Sequence, residues 1–579
     1  MAQSAIVRFE IVERDGLART GRLELDSSRF TTPAVVYVDT ERFKAPEDAL
    51  KLTSLDRGSS GSLVMAPSGF SSTGKTSTNA ANQLDPRYRG SPYADSKDEQ
   101  PILSPDSTAA LLLDSRRFVD SVESMKTGEA LLKPLLSSVM GLPHRLAFLS
   151  YSGFDLFDSL PLIMASENGC YLTSTGILTY DRLRDLPCSC PACSSGKRGR
   201  DALLKHNYMT AEMELRMVRH AISQGTLREL VENRVRTDPW LVQNLRLLDL
   251  EHQELLERHA PIKGTPFHAG SKESLNRPEI LRWRKRLETR YARPAGTRIL
   301  VLIPCSARKP YSFSKSHMRF RQAIQQSGKA DLVHEVIVTS PIGLVPRELE
   351  LFYPAQDYDI PVTGHWDRDE KVLAQEMVSW LVSSQKYDLV ISHLGDEREP
   401  VNAALEDFVD TSLGSPGSHE SLERLEKTLR ETNLQPHQGR DADRSIEDMR
   451  SISRFQFGDI GSKLCDDVHL WGRWPNVKLM RGNDQLGMLT GERGMISLTM
   501  EGARVIAAEG KYCVEIDDFV PKGNLFAIGV EGASDDIRIG DDVAVVHRGE
   551  VRGVGVAVMS PEEMILADRG EAVHIRHTR

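Results

Sequence analysis

Three cysteines crowd into Cys188-Ser189-Cys190-Pro191-Ala192-Cys193, and His206 follows. Three thiolates and one imidazole are the ligand set of a closed tetrahedral zinc site. The C-x-C-x-x-C spacing lets one turn present three sulfurs to the same ion. His220 is a second candidate for the fourth ligand. Four protein ligands leave no open position for water, so such a zinc is structural and not catalytic. Three unrelated free cysteines are the competing reading, and the crowding counts against it.

A second loaded run is Pro304-Cys305-Ser306-Ala307-Arg308-Lys309-Pro310-Tyr311-Ser312-Phe313-Ser314-Lys315-Ser316-His317. It begins where the apolar strand signal Ile299–Ile303 ends, the usual place for ligands in open α/β sheets. Cysteine beside cations is the setting that lowers a thiol pKa and makes a nucleophile. A polar loop with one buried cysteine remains the alternative. A third run, Gly69-Phe70-Ser71-Ser72-Thr73-Gly74-Lys75-Thr76, satisfies G-x-x-x-x-G-K-[ST]. A phosphate loop needs a strand before it and a helix after it. Residues 77–100 offer no apolar helical face, so this match reads as chance.

The elements that must position these residues can be read from periodicity. Ile6–Val12 and Pro33–Val38 carry strand signals, with a turn at Asp15-Gly16. Residues 66–105 are rich in Ser, Thr, Asn, Asp, Gly and Pro, and read as a long loop. Apolar segments return at Ala109–Leu113, Arg145–Ser150 and Cys170–Leu172. A helix is expected over 211–233, with Met213, Met217, Ala221 and Leu227 on one face. A charged helix follows over 277–291. Strand signals at 299–303, 336–339 and 389–392 alternate with helical stretches, the pattern of a three-layer α/β domain. Residues 413–444 read as a charged linker holding one solvated helix. Short strands between Gly and Asp turns close the chain as a small β-barrel. No internal repeat is found.

At 579 residues the chain is long enough for three to four domains, so a single small module is excluded. A hydrophobic fraction of 40% and a charged fraction of 27% are ordinary globular values, which excludes a disordered or fibrous chain. The net charge of −9 excludes a uniformly basic nucleic-acid coat but leaves room for local basic patches. No apolar run reaches the roughly 20 residues that span a bilayer. No secretory signal is visible, and seven cysteines in this length make no disulfide scaffold. A cytoplasmic protein without a membrane partner is expected.

The opening, Phe9–Arg19 with Thr32-Pro33-Ala34, resembles that of tRNA-guanine transglycosylases. So do Gly153-Phe154-Asp155-Leu156-Phe157-Asp158, the cysteine cluster with His206-Asn207, and the stretch from Arg216 to Val231. The resemblance implies an eroded, zinc-bearing (β/α)₈ TIM-like barrel over residues 1–275. Transglycosylases carry Asp-Ser-Gly-Gly-Phe-Gln at a barrel strand, where this chain has Ala66-Pro67-Ser68-Gly69-Phe70-Ser71. Asp158 matches the nucleophile position, but without that partner acid it is vestigial, which argues against base exchange.

The remainder resembles archaeosine synthases, transglycosylase paralogues with an added amidotransferase-type domain. Their hallmark Pro-Cys-Ser-x-x-Lys-Pro-Tyr-x-x-Ser-x-Ser-His run stands at Pro304–His317. Ser340–Leu349, Tyr353-Pro354 and Asp359–Trp366 continue it, and residues 516–573 look like a PUA RNA-binding module. The fold expected is therefore multidomain α/β. It comprises the barrel (1–275), an α/β catalytic domain (276–412), the linker (413–444), a small α+β domain (445–507) and a PUA β-barrel (508–579).

The resemblance implies a substrate, tRNA bearing 7-cyano-7-deazaguanine in its D-arm, and addition of an amine to the nitrile. Lysine or glutamine is the amine donor, and a radical SAM partner subunit releases archaeosine; a homodimer is expected. In this chemistry Cys305 attacks the nitrile, Lys309 lowers the thiol pKa and His317 moves protons. Ser306, Tyr311, Ser314, Ser316, Arg347 and Glu348 are candidate substrate contacts. The rival role for Cys305 is packing at the strand end, with direct amine attack. Base exchange and non-catalytic tRNA binding are the alternative functions. Two surfaces are candidates for holding tRNA: the helix with Arg282, Arg284, Lys285, Arg286, Arg290 and Arg293, and the carboxyl-terminal module with Arg548, Arg552, Arg576 and Arg579.

Overall fold

A computed structural model describes residues 7–25, 28–54, 62–65, 114–361, 366–395, 398–435 and 443–579. The Gly69–Thr76 match, the Ala66–Ser71 stretch and the Ala109–Leu113 segment lie outside the described residues. The chain divides into two units, one of 1–261 with 562–570, the other of 262–561 with 571–579.

In the first unit the strands Val7–Asp15, Ala18–Leu25 and Ser28–Thr32 form an antiparallel sheet. Gly16 makes the first turn at φ 65°, a left-handed conformation that glycine adopts without strain. A second sheet has the order Ser62–Met65, Lys51–Ser54, Ala34–Val38, Leu156–Asp158, Leu136–Ser137, with every neighbouring pair parallel. Parallel strands are covered on both faces, which is why Val35-Val36-Tyr37-Val38 is continuously apolar and buried. The described residues thus supply five parallel strands where the barrel reading expects eight.

The helix expected over 211–233 is two helices, Arg200–Gln224 and Leu227–Val235. Gly225 ends the first at φ 64°, a left-handed cap. Ala211, Leu215, Val218 and Ile222 follow the four-three-four spacing of its buried stripe. Met213 and Met217 lie about half a turn away from that stripe and are exposed, against expectation.

The second unit carries a five-stranded sheet in the order Gly343–Pro346, Val333–Thr339, Ile299–Pro304, Leu389–Ser392, Val409–Asp410. Only Gly343–Pro346 runs antiparallel. Ile299–Ile303 is fully buried at the centre. The boundary with the first unit falls after Pro261 and not after residue 275, because Phe267–His268 pairs with Tyr358–Asp359. The segment read as a linker holds the helix His419–Glu431, and this helix is docked, not solvated. Its Leu425 and Leu429 are fully buried, with contacts to the helix Lys315–Gln326. Leucines four residues apart among charges are an amphipathic stripe, and a stripe needs a surface to cover. Beyond it come the helix Arg444–Phe457, a four-stranded antiparallel sheet over residues 469–498, the helix Met500–Ala507, and a six-stranded sheet that ends at Glu571–Thr578.

Candidate metal and nucleophile sites

The hairpin Cys170–Thr173/Gly176–Thr179 and the start of the helix Arg200–Gln224 frame the cysteine cluster. The ligand atoms of Cys188, Cys190, Cys193 and His206 all lie within 4.8 Å of one another. Nδ1 of His206 stands 3.6 Å from Cys190 Sγ and 3.4 Å from Cys193 Sγ. Its Nε2 lies 2.9 Å from the Leu172 carbonyl; the N–H donated there leaves the Nδ1 lone pair toward the sulfurs. Tyr171 stacks on the imidazole at 3.7 Å, and its hydroxyl is 3.3 Å from Cys193 Sγ. This donor set, with its orienting bonds, fits a metal ion. His220 is exposed and stands outside the group.

Cys305 sits one residue beyond the central strand, half-buried at the carboxyl edge of the sheet. Lys309 Nζ lies 3.9 Å from the centre of the Tyr358 ring and 5.9 Å from that of Tyr311. Burial lowers the Lys309 pKa, while the charges of Cys305 and Asp359 hold it up. The Tyr311 hydroxyl is 2.6 Å from that of Tyr358, which is 2.5 Å from Thr339 Oγ1. Three hydroxyls thus tie the loop after the central strand to the end of the neighbouring strand. Burial pushes Tyr311 well above its usual range, and the charges of Tyr358 and Cys305 add to it. Tyr358 and Thr339 were not singled out in the sequence, and Asp359 entered only as the start of the Asp359–Trp366 stretch. They lie far from Cys305 along the chain, and no local spacing marks them.

Most other residues of the run turn inward. His317 is fully buried, and its Nδ1 accepts from Arg347 at 2.8 Å. Burial, then the Arg347 charge, depresses its pKa far below the usual range, opposed by the nearby Pro304 carbonyl. An enclosed imidazole held by a guanidinium is placed to pack and orient this corner of the fold, whereas a proton carrier was expected. Arg347 also binds Glu335 at 2.8 Å and Glu350 at 3.1 Å, and Glu350 accepts from the Ser312 amide at 2.9 Å. Glu348 accepts from the Tyr291 hydroxyl inside a separate buried group with His334. Neither Arg347 nor Glu348 is therefore a free substrate contact. Ser314 caps the helix Lys315–Gln326, accepting from the His317 amide and lying 3.2 Å from Ser316 Oγ. Ser306 Oγ donates to the Arg308 carbonyl at 3.0 Å. A run that must enter a helix buries one face, and that face takes Tyr311, Ser312, Ser314 and His317.

Asp158 is buried at the end of its strand with both oxygens occupied. Ser138 Oγ and the Val139 amide donate to one, the Leu160 amide to the other. Burial pushes its pKa up to about 6 against these bonds. An enclosed, fully bonded carboxyl is a poor nucleophile.

The two surfaces considered for tRNA also change meaning. Arg282 and Arg286 are buried, and Arg284 donates to the Pro341 carbonyl. Burial lowers Arg284 and Arg286 to about 10. Arg290 donates to the Gln456 carbonyl and to the Tyr512 hydroxyl, and Arg293 to the Gln385 carbonyl. Of this helix only Lys285 is exposed among the cations named. In the carboxyl-terminal module Arg552 pairs with Asp518 and Glu550, Arg576 with Asp542, and Arg579 with Glu550. Arg548 is exposed on a turn at φ 48°.

Residues 109–239 match the family described as queuine tRNA-ribosyltransferase, 280–429 a domain of unknown function, and 514–578 the PUA domain. The archaeosine synthase subunit alpha of Methanosarcina acetivorans is 33% identical over 99% of both chains. The archaeosine synthase of Haloferax volcanii is 35% identical over 98% of this chain and 99% of its own. A tRNA-guanine(15) transglycosylase of Methanothermobacter thermautotrophicus is 28% identical over 83% of this chain and 72% of its own. Identity of 33–35% over 98–99% of this chain covers all three matched parts, and the chain belongs to the archaeosine synthase family.

Proposed function

We propose that this protein adds an amine to the nitrile of 7-cyano-7-deazaguanine in the D-arm of tRNA, with lysine or a glutamine-derived nitrogen as donor. The observation that carries this reading is the pairing of half-buried Cys305 with desolvated Lys309 at the carboxyl edge of the sheet. A nitrile is a weak electrophile and needs a strong nucleophile together with proton donation to nitrogen. The Cys305 thiolate forms a C–S bond to the nitrile carbon, and the displaced π pair takes a proton from Lys309. The thioimidate is then attacked by the amine, which returns a proton to Lys309. The C–S bond breaks, the thiolate is restored, and the amidine keeps both nitrogens.

The names of the relatives support the tRNA substrate, and the PUA match supports RNA binding. The Methanosarcina relative is named as an alpha subunit, which supports work beside a second subunit, and a radical SAM enzyme in that place is part of the proposal. The eroded barrel would carry zinc on Cys188, Cys190, Cys193 and His206; bound there, the ion crosslinks the lobe and supplies no reactive water. No helix among the described residues is long and apolar enough to cross a membrane. Mass analysis of nucleosides from nitrile-bearing tRNA, with lysine and glutamine offered separately, tests the reading. An amidine adduct in either arm supports it. An unchanged nitrile in both, or exchange of labelled base into unmodified tRNA, overturns it.

A further inference from the structure

We infer that a cationic cleft at the start of the helix Arg200–Gln224 is a phosphate-binding site through which the first unit grips the RNA backbone. This rests on the tRNA reading above and adds to it a site in the unit that does not hold Cys305. The cleft encloses about 730 Å³ and is lined by Lys197, Arg198, Arg200 and Lys205, with Asp201 as the one carboxylate. Four cations against one acid stand out in a chain whose net charge is −9.

Among the described residues, none of these four cations is ion-paired. Other arginines of the same unit behave differently: Arg14 pairs with Glu563, Arg145 with Asp238, Arg228 with Asp249 and Arg234 with Glu214. Arg198 instead donates to the carbonyls of Leu183 and Arg184, at 2.9 and 3.1 Å. Arg200 donates to the Ser166 carbonyl at 3.0 Å. Neutral carbonyls hold a guanidinium in place without cancelling its charge, so the cleft is both fixed and positive. The helix that begins here is 25 residues long and its cap, Gly199, offers no side-chain bond to the first-turn amides. Those amides and the helix dipole add to the same positive field.

The wall formed by Pro46, Tyr208 and Met209 is shared with a larger cleft of about 870 Å³ further along the helix. There Met213 and Met217 are exposed beside Arg216. Cations at one end and apolar side chains along the other are the two components of a site for unpaired RNA, where phosphates meet charge and bases meet apolar surface.

The test compares full-length protein with a Lys197→Ala/Lys205→Ala double variant, using a transcribed tRNA and salt from low to moderate concentration. Both lysines are exposed and unpaired, so metal content and melting should be unchanged. The slope of log affinity against log salt should fall by about 2, roughly one per phosphate contact. A charge-keeping Lys197→Arg/Lys205→Arg variant should retain the slope. As a control for net charge, Lys427→Ala/Arg430→Ala on the helix His419–Glu431 should leave it unchanged. Salt-dependent tRNA binding by the wild type with an unaltered slope in the cleft variant overturns the site. So does an equal fall in the control. Failure of the wild type to bind tRNA at all instead sinks the tRNA reading itself.

Discussion

The two cysteine-bearing runs of this molecule began as equals in the sequence and ended as opposites in the fold. In the first, four side chains converge on one point, with all ligand atoms within 4.8 Å. In the second, the run splits: Cys305 and Lys309 stay at the sheet edge while Tyr311, Ser312, Ser314 and His317 turn inside. The difference is geometric. A tight turn followed by a helix facing it keeps short-range spacing intact, so C-x-C-x-x-C is enough to aim three sulfurs. A loop that crosses from a buried strand into a helix must bury one side, and only the other side remains for chemistry. Spacing therefore foretells convergence within a tight turn and does not foretell which side of a strand-to-helix loop is buried.

The sharpest way to break this comparison is Cys305→Ala. If the exposed side carries the chemistry, turnover on nitrile-bearing tRNA should fall at least about 10³-fold with tRNA affinity kept. Near-normal turnover would return Cys305 to a packing role. Next in size is Cys193→Ser, which removes one of four converging ligands. Metal content should fall, and the lobe should lose on the order of several kcal/mol of local stability, read as faster proteolysis near Lys197 and Arg198. An unchanged metal stoichiometry would mean that the convergence is not a metal site. The smallest effect is expected from His317→Asn, whose side-chain oxygen can still accept from Arg347. Stability should drop by about 1–3 kcal/mol, measured by denaturant unfolding, while the pH profile of turnover stays in place. A large loss of turnover with a displaced pH profile would restore His317 as a proton carrier.

Much of the scaffold was legible along the chain. The strands Ile299–Pro304, Val333–Thr339 and Leu389–Ser392 and the helix Pro278–Arg290 follow the expected periodicity. Boundaries were less legible. The helix expected to be solvated within the linker is docked at His419–Glu431, because two leucines lie among its charges. The segment 262–275 joined the second unit through a strand pair that no local pattern announces. The basic helix was the clearest reversal. Its arginines read as a surface for RNA, yet Arg282 and Arg286 are buried, and Arg284 and Arg290 donate to carbonyls and a hydroxyl distant in sequence. Among the described residues, a cluster of cations without ion pairs lies instead at Lys197–Lys205.

Residue type and spacing alone pointed to the three clustered cysteines, the central buried strand and the position of Cys305 at its end. Each depends on contacts within a few residues, and local geometry survives folding. Which hydroxyls surround Lys309, which histidine stays neutral and which arginines keep a free charge were decided only by the tertiary structure. Burial and pairing are properties of partners brought from tens or hundreds of residues away: Tyr358 and Thr339 to Tyr311, Arg347 to His317, Tyr512 to Arg290. A charge is available for binding only when the fold leaves it uncompensated, and no run of sequence states what the fold will bring to it.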